Sequence, residues 1–555
     1  KGYLMKNKDE NSKNKPDYTS LAPKYTFSEK LETQLQEIKD NPTVLRMDES
    51  RKKKTSDPHR PYYHFIDPDN MLNDPNGFCY WQGRWHLFYQ AYPPEDFRRA
   101  HWGHAISDDL IHWRDLPYSI YPNPEEESYS GGALVEKDRV IAVYHGTKVG
   151  NMVAVSHDPL LLNWEKLTGK PVIPFAGEDE PPLPYGIYDP CIWKKEGMYY
   201  YLTGGILPHP PSGNHIRANF LFRSKDLVNW KYLHQFVEGD LFTRVGDDGS
   251  CPYFFPIGDR HILLIYSHLS GGQYLLGDYD QKSDKFMAAA HGLFNFGPSN
   301  PSGVHAPSAT PDGKGGIIVI FNMNPGKTNA SKDAFINKLL GQIMTLPRRL
   351  TLDESNDLRM EPAGDIESLR FKHQHIGKTV LPANQEVILE QIEGNAMELM
   401  IELDPKEAPM IEINVLRSPN KEEFTRISFF NKRGFKYQKS SPNLNSAVNV
   451  MSSALATPIR HESVISIDTS YSSILPEVIS RAPESAPVQI ETNERLQLRI
   501  FIDRSVVEVF VNKKQCLAVR VYPGRKDSTG ISLRAQGQDA DLSYLDCWQM
   551  KNIYE

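Results

Sequence analysis

The 555-residue sequence predicts an all-β protein, a five-bladed β-propeller followed by a C-terminal β-sandwich. Three observations predict it. Short apolar, aromatic-rich strands recur five times, starting roughly 55–65 residues apart, which leaves room for a four-stranded sheet at each repeat. A turn signature of Ser, Asp and Trp follows three of those strands at a similar interval. Beyond about residue 365 a different set of alternating strands begins, and helical periodicity is nearly absent throughout.

The five repeated strands are Arg84–Tyr89, Arg139–Tyr144, Met198–Leu202, His261–Tyr266 and Gly316–Phe321. The turn signature runs Ser107-Asp108-Asp109-Leu110 to Trp113, Ser156-His157-Asp158-Pro159-Leu160 to Trp164, and Ser224-Lys225-Asp226-Leu227 to Trp230. Ser and Asp bond their own backbone in turns, so these segments close repeated hairpins. Residues 58–364 are therefore assigned to the propeller. Ahead of it, residues 1–57 are a polar, lysine-rich extension with a helix expected over Ser28–Lys39. Its cluster Arg51-Lys52-Lys53-Lys54 reads as a solvated linker face. Residues 365–378 read as a charged, helix-like linker, and residues 379–555 as the sandwich, built on strands such as Glu398–Leu403, Leu496–Asp503 and Val506–Val511. The Ser-, Asn- and Pro-rich stretch Ser440–Ala486 reads as a long loop.

Composition excludes several function classes. The net charge is −7 and no basic stripe occurs, which argues against nucleic acid as a partner. No run of eighteen apolar residues occurs, so no membrane span is expected. Five cysteines without CxxC spacing give neither a disulfide framework nor a metal site. Cys79, Cys191 and Cys251 each follow an acidic motif closely, and they read as small buried hydrophobes. The chain opens on Lys1, read as the mark of a trimmed terminus, and composition leaves both the compartment and a homo-oligomer open.

A propeller gathers its ligand where the first strands of successive blades converge. Asn73-Asp74-Pro75-Asn76-Gly77 places a carboxylate at such a rim, Ile187-Tyr188-Asp189-Pro190 places a second, and Asp247-Asp248-Gly249-Ser250-Cys251-Pro252 opens a third blade. Convergent carboxylates suit glycosidic-bond cleavage, in which one attacks, an acid protonates the leaving oxygen, and fixed negative charge stabilises an oxocarbenium-like transition state.

Several ordered stretches then resemble glycoside hydrolase family 32, the β-fructosidases of invertase, inulinase and levanase type. They are Met71–Gly77, Trp85–Gln90, Trp102–Ser107, Tyr129-Ser130-Gly131, Leu346-Pro347-Arg348 and Phe501–Phe510. The resemblance implies a retaining double displacement on a terminal fructosyl or related residue, by hydrolysis or transfer, without a cofactor. By it Asp74 is the nucleophile and Asp189 the transition-state stabiliser, and Asn73, Trp85, Gln90, Trp102 and Ser130 line the sugar pocket.

Two departures stand out. Tyr188 replaces the arginine of the family's Arg-Asp-Pro, which exchanges a bidentate cation for one hydroxyl and a ring face. Ser250 replaces the glutamate of Glu-Cys-Pro, the family's acid/base. Asp248 lies two residues before Ser250, hence on the same face of an extended strand, and is the candidate substitute. The alternative is a non-hydrolytic carbohydrate-binding protein on the same scaffold. The stretches His145-Gly146-Thr147 and Asn322-Met323-Asn324 also depart from the family pattern.

Overall fold

A computed structural model describes residues 16–297, 303–328, 331–432, 436–437, 460–479, 481–491 and 493–555. Five sheets, antiparallel but for the short strand Val237–Glu238, which runs parallel to Lys285–Leu293, follow one another along the chain, with innermost strands Leu72–Trp81, Ser128–Val135, Pro190–Lys195, Ser250–Ile257 and Val304–Pro311. Each sheet is a blade of a propeller. The five strands legible in the sequence are the second strands of the blades, Arg84–Ala91, Val140–Gly146, Met198–His209, Arg260–Ser267 and Ile317–Met323. A second strand is covered by a neighbouring strand on each edge and a neighbouring blade on each face. That burial explains why Ile262, Leu263, Leu264 and Ile265 are all fully buried in one run.

The Ser-Asp-Trp signature marks the link from third to fourth strand. Asp109 accepts from the backbone N–H of Ile111 and His112, and Asp226 accepts from Val228 and Asn229. Asp158 does the same for Leu160 and Leu162. One carboxylate thus satisfies the loop's backbone donors, and Leu110, Leu161 and Leu227 take positive φ to allow it.

Ahead of the blades, helices Leu31–Lys39 and Pro42–Lys53 pack on the outside of the first two blades. The first is shorter than the expected Ser28–Lys39. The second begins where Pro42 fixes the first turn and the Asn41 side chain accepts from the Thr43 and Val44 N–H groups. Arg51 is not part of a solvated face. It is buried, its guanidinium paired with Asp115 at 2.5 and 2.8 Å and set over the Tyr554 ring. Lys52 and Lys53 remain exposed.

Two seven-stranded sheets form the sandwich. Residues read as a linker belong to it. Ile366–Leu369 make one 3-10 turn, and Arg370–Ile376 pair as an edge strand with the last strand, Ala540–Met550. Within Ser440–Ala486, Arg460–Asp468 is a strand between Thr425–Phe430 and Glu484–Glu491 rather than loop, while residues 438–459 lie outside the described residues. Proximity of partner strands, not local composition, decides these segments.

The two halves share one apolar cluster in which Phe501, Val506 and Phe510 meet Ile317, Val319 and Phe321. A buried ionic group pins that contact. His64 bonds Asp503 at 2.8 Å and Glu508 at 3.0 Å, and Arg348 bonds Glu508 at 3.0 Å. Asp503 also accepts from the N–H groups of Tyr62, Tyr63 and His64. Burial alone would push the His64 pKa down, but the two carboxylates raise it to about 9. Its stabilisation is therefore complete below the unfolded histidine value of about 6.5 and is lost as pH rises through 9. Replacing His64 by Ala leaves buried carboxylates uncompensated and is expected to cost about 3–5 kcal/mol. Chemical denaturation at pH 6 and at pH 9.5 checks both points, with the wild-type advantage over His64→Ala shrinking at the higher pH.

Candidate active site

Four of the five innermost strands carry the same irregularity at the same end. Leu72 faces Ala91 but Pro75 faces Tyr89, so three steps on one strand oppose two on its partner. The register slips identically between Ser128 and Gly131, between Ser250 and Tyr253, and between Val304 and Pro307. Each is a β-bulge, which inserts one residue and re-aims side chains. Within these bulges lie Asn73 and Asp74, Tyr129 and Ser130, Cys251, and His305. In the remaining blade, Asp189 immediately precedes the innermost strand, Pro190–Lys195. Every one of these side chains is thereby gathered at one mouth of the central channel.

The result is a fixed, buried carboxylate. Ser130 Oγ donates to Asp74 Oδ2 at 2.7 Å, while His305 Nδ1 and Asn322 Nδ2 lie 3.1 and 3.3 Å from Oδ1. A relay supports Ser130, since Asn73 donates to Gln90 at 3.1 Å and Gln90 donates to Ser130 at 2.7 Å. Asn322 also donates to Asn73 and Gln342. Burial pushes the Asp74 carboxyl up, but the His305 and Ser130 hydrogen bonds and nearby positive charge outweigh it and hold the group below the usual carboxylate value.

Asp189 is the opposite case. Burial and the neighbouring Asp74 charge raise its pKa to about 7. The Cys251 sulfur joins the two acids, 3.3 Å from Asp189 Oδ2 and 3.8 Å from Asp74 Oδ2, and the Cys251 N–H also points at Asp189. Burial and both carboxylates push the thiol well above its ordinary pKa, so it stays an S–H donor. Two acids in one pocket with divergent pKa values can divide the roles of anion and proton carrier.

Across the mouth, Ser250 Oγ donates to Asp248 Oδ2 at 2.6 Å, so the two residues share a face. Asp248 also accepts the backbone N–H of His268 at 2.7 Å and lies 3.0 Å from its ring Nδ1. Although burial opposes it, these bonds hold the Asp248 carboxyl below its usual range, so as placed it is an acceptor. Asp247 turns the other way, onto Ser267, Ser270 and the Arg244 N–H.

The sequence matches the profile for the glycosyl hydrolases family 32 N-terminal domain over residues 64–362 and that for the family's C-terminal domain over residues 365–549. The chain belongs to glycosyl hydrolases family 32. It is a glycoside hydrolase of the β-fructosidase lineage. Bacillus subtilis levanase is 25% identical over 538 residues, covering 89% of this chain and 71% of that one. Escherichia coli sucrose-6-phosphate hydrolase is 25% identical over 526 residues, covering 88% and 94%. The crystal structure of fructan 1-exohydrolase IIa from Cichorium intybus shares the fold, with a TM-score of 0.72 at 22% identity over 89% of this chain and 98% of that one.

Against the family pattern, two expected pocket residues lie elsewhere. Trp102 has no exposure, packs on Phe88 and Tyr144, and donates from Nε1 to the Tyr129 carbonyl. It positions the bulge of the second blade from behind. Trp85 stacks on Phe78, packs at a tilt on Tyr80, and lines a cavity of about 850 Å³ at the opposite mouth of the channel. It is five residues along its strand from Gln90, about 17 Å at the usual rise. Tyr188 is 42% exposed at the rim, and its carbonyl accepts from Asn151 Nδ2 at 3.1 Å. His305, Asn322, Cys251 and His268 join the constellation without having been singled out for it. Asn322 had left a trace, because its stretch departs from the family pattern. Cys251 is buried, as the sequence predicts, and its thiol is in addition a donor between the acids.

Because folding raises the Asp189 pKa, the folded state holds a proton that the unfolded chain has released between about pH 4 and about pH 7. Stability contributed at this position falls as pH rises through that window. Asp189→Asn is expected to melt higher than wild type at pH 8 and level with it near pH 4, as thermal unfolding at the two pH values will show.

Proposed function

We propose that the protein cleaves, or transfers, terminal fructosyl or related residues of oligo- and polysaccharides by double displacement, with Asp74 as the nucleophile and Asp189 as the partner that steadies the transition state. The observation that carries this reading is the Asp74 carboxylate itself: buried, ionised, and held on both oxygens by donors from other blades. A desolvated and oriented anion is poised to form a covalent bond with an anomeric carbon.

Asp189 supports the same reading. Sugar hydroxyls donating to it would favour its ionised form, and the anion then faces the positive charge that develops on the ring. Tyr188 supplies no guanidinium beside this carboxylate, which fits both the raised pKa and a sugar whose hydroxyls do not need a cation there. Gln90, Asn73 and Ser250 complete the polar lining, and the ligand is a carbohydrate. The names borne by relatives, levanase and sucrose-6-phosphate hydrolase, point to fructosyl substrates.

Asp74→Asn removes the attacking oxygen while keeping shape and most hydrogen bonds. Turnover of sucrose, inulin and levan is expected to vanish, read by chromatography of the products, with the melting profile retained. Undiminished turnover in this variant would remove Asp74 from the mechanism.

A further inference from the structure

We propose that His268, oriented by Asp248, is the acid/base group of this site and does the work of the glutamate that Ser250 replaces. The proposal rests on the reading of Asp74 as nucleophile and deepens it.

Hairpin geometry places the pair. Ser250 and Tyr266 face each other across the first two strands of the fourth blade. Asp248 and His268 lie two residues further out on their respective chains, where the hairpin opens, so they meet on the same face. They meet through two bonds, ring Nδ1 and backbone N–H of His268 to the two oxygens of Asp248. This fixes the imidazole and leaves Nε2 as the nitrogen turned away from Asp248. The His268 side chain is 71% exposed, within reach of a solute at the rim.

Ring packing ties His268 to the nucleophile. Its imidazole meets the Tyr266 ring edge-to-face at 4.9 Å, Tyr266 packs on His305 at 4.0 Å, and His305 bonds Asp74. Among the described residues, the charges that act on His268 include Asp248 from its own blade, Asp189 from the third blade and Asp74 from the first. The Asp248 hydrogen bond is the largest influence and raises the imidazole pKa, burial opposes it, and the charges of Asp248, Asp189 and Asp74 add to the rise. Asp248 cannot take the role alone, because three donors already hold it as an anion. Asp189 shares the Cys251 thiol with Asp74 and is already assigned to steadying the transition state. A serine hydroxyl at position 250 has no acidity near neutral pH.

In the first step the imidazolium gives its Nε2 proton to the glycosidic oxygen as the bond from that oxygen to the anomeric carbon breaks. An Asp74 oxygen bonds to the same carbon, and His268 is left neutral. In the second step neutral His268 takes a proton from water as the water oxygen bonds to the anomeric carbon. The bond to Asp74 breaks, and carboxylate and imidazolium are both restored.

The test compares wild type, His268→Ala and Asp248→Asn on sucrose and on 4-nitrophenyl β-D-fructofuranoside, whose leaving group needs no proton. His268→Ala is expected to lose roughly 10²–10⁴-fold in kcat/KM on sucrose and far less on the nitrophenyl glycoside. It should also lose the basic limb of its pH profile and yield fructosyl azide when azide is added. Asp248→Asn should move that limb to lower pH. Equal losses on both substrates, or a basic limb unchanged in His268→Ala, would overturn the assignment. A second measurement needs no turnover: the ¹³C-histidine resonance absent from His268→Ala should titrate above about 6.5 in wild type and lower in Asp248→Asn. Titration at or below that value in wild type would overturn the dyad. If wild type cleaves neither glycoside, the fructosyl reading fails, and the resonance still decides the dyad.

Discussion

Everything at this site depends on taking one carboxylate out of water without letting it take up a proton. Burial by itself would raise the Asp74 pKa, and a protonated acid cannot attack. Ser130, His305 and Asn322 prevent that by donating to both oxygens. These donors come from the second and fifth blades, so the whole propeller must close before the anion is satisfied. Closure alone does not suffice, because regular strands would turn alternate side chains into the blade interfaces. One added residue per innermost strand, in four blades, turns them to the channel mouth.

The second acid follows from the first. Once Asp74 is ionised, its charge and the shared burial make Asp189 hard to ionise, and the Cys251 thiol between them can donate to either. The raised pKa of His268 comes first from its Asp248 hydrogen bond, and the charges of Asp189 and Asp74 add to it. The electrostatic pattern therefore rests on two stabilised anions, Asp74 and Asp248. Its rigidity is supplied from outside by the Trp102 and Tyr129 contact, and by the buried His64, Asp503, Glu508 and Arg348 group that locks propeller to sandwich.

Much of this was legible in the sequence, for reasons that can be stated residue by residue. Second strands are buried on both faces and so read as unbroken apolar runs. The Ser-Asp-Trp loops recur because one carboxylate meets the same backbone demand in three blades. Asp248 was placed on the face of Ser250 by the two-residue period of a strand, and the two side chains do touch. The period says nothing about which end of a strand meets the channel. Trp85, in the same stretch as Gln90, therefore seemed a neighbour of the sugar and lies at the far mouth instead. Arg51 looked solvated beside three lysines, but its partners Asp115 and Tyr554 are distant in sequence.

The sequence by itself determined the propeller, the sandwich, and the presence of acidic residues at successive blade entrances, because periodicity and turn chemistry are local. Only the tertiary structure decided what those acids are. Whether a carboxyl is ionised depends on groups within a few ångströms, and here these lie up to 248 residues away, as Asn322 does from Asp74. Pairing of Asp248 with His268 has the same origin: the sequence marks Asp248 but not His268, and the two become a dyad because a hairpin opens between them.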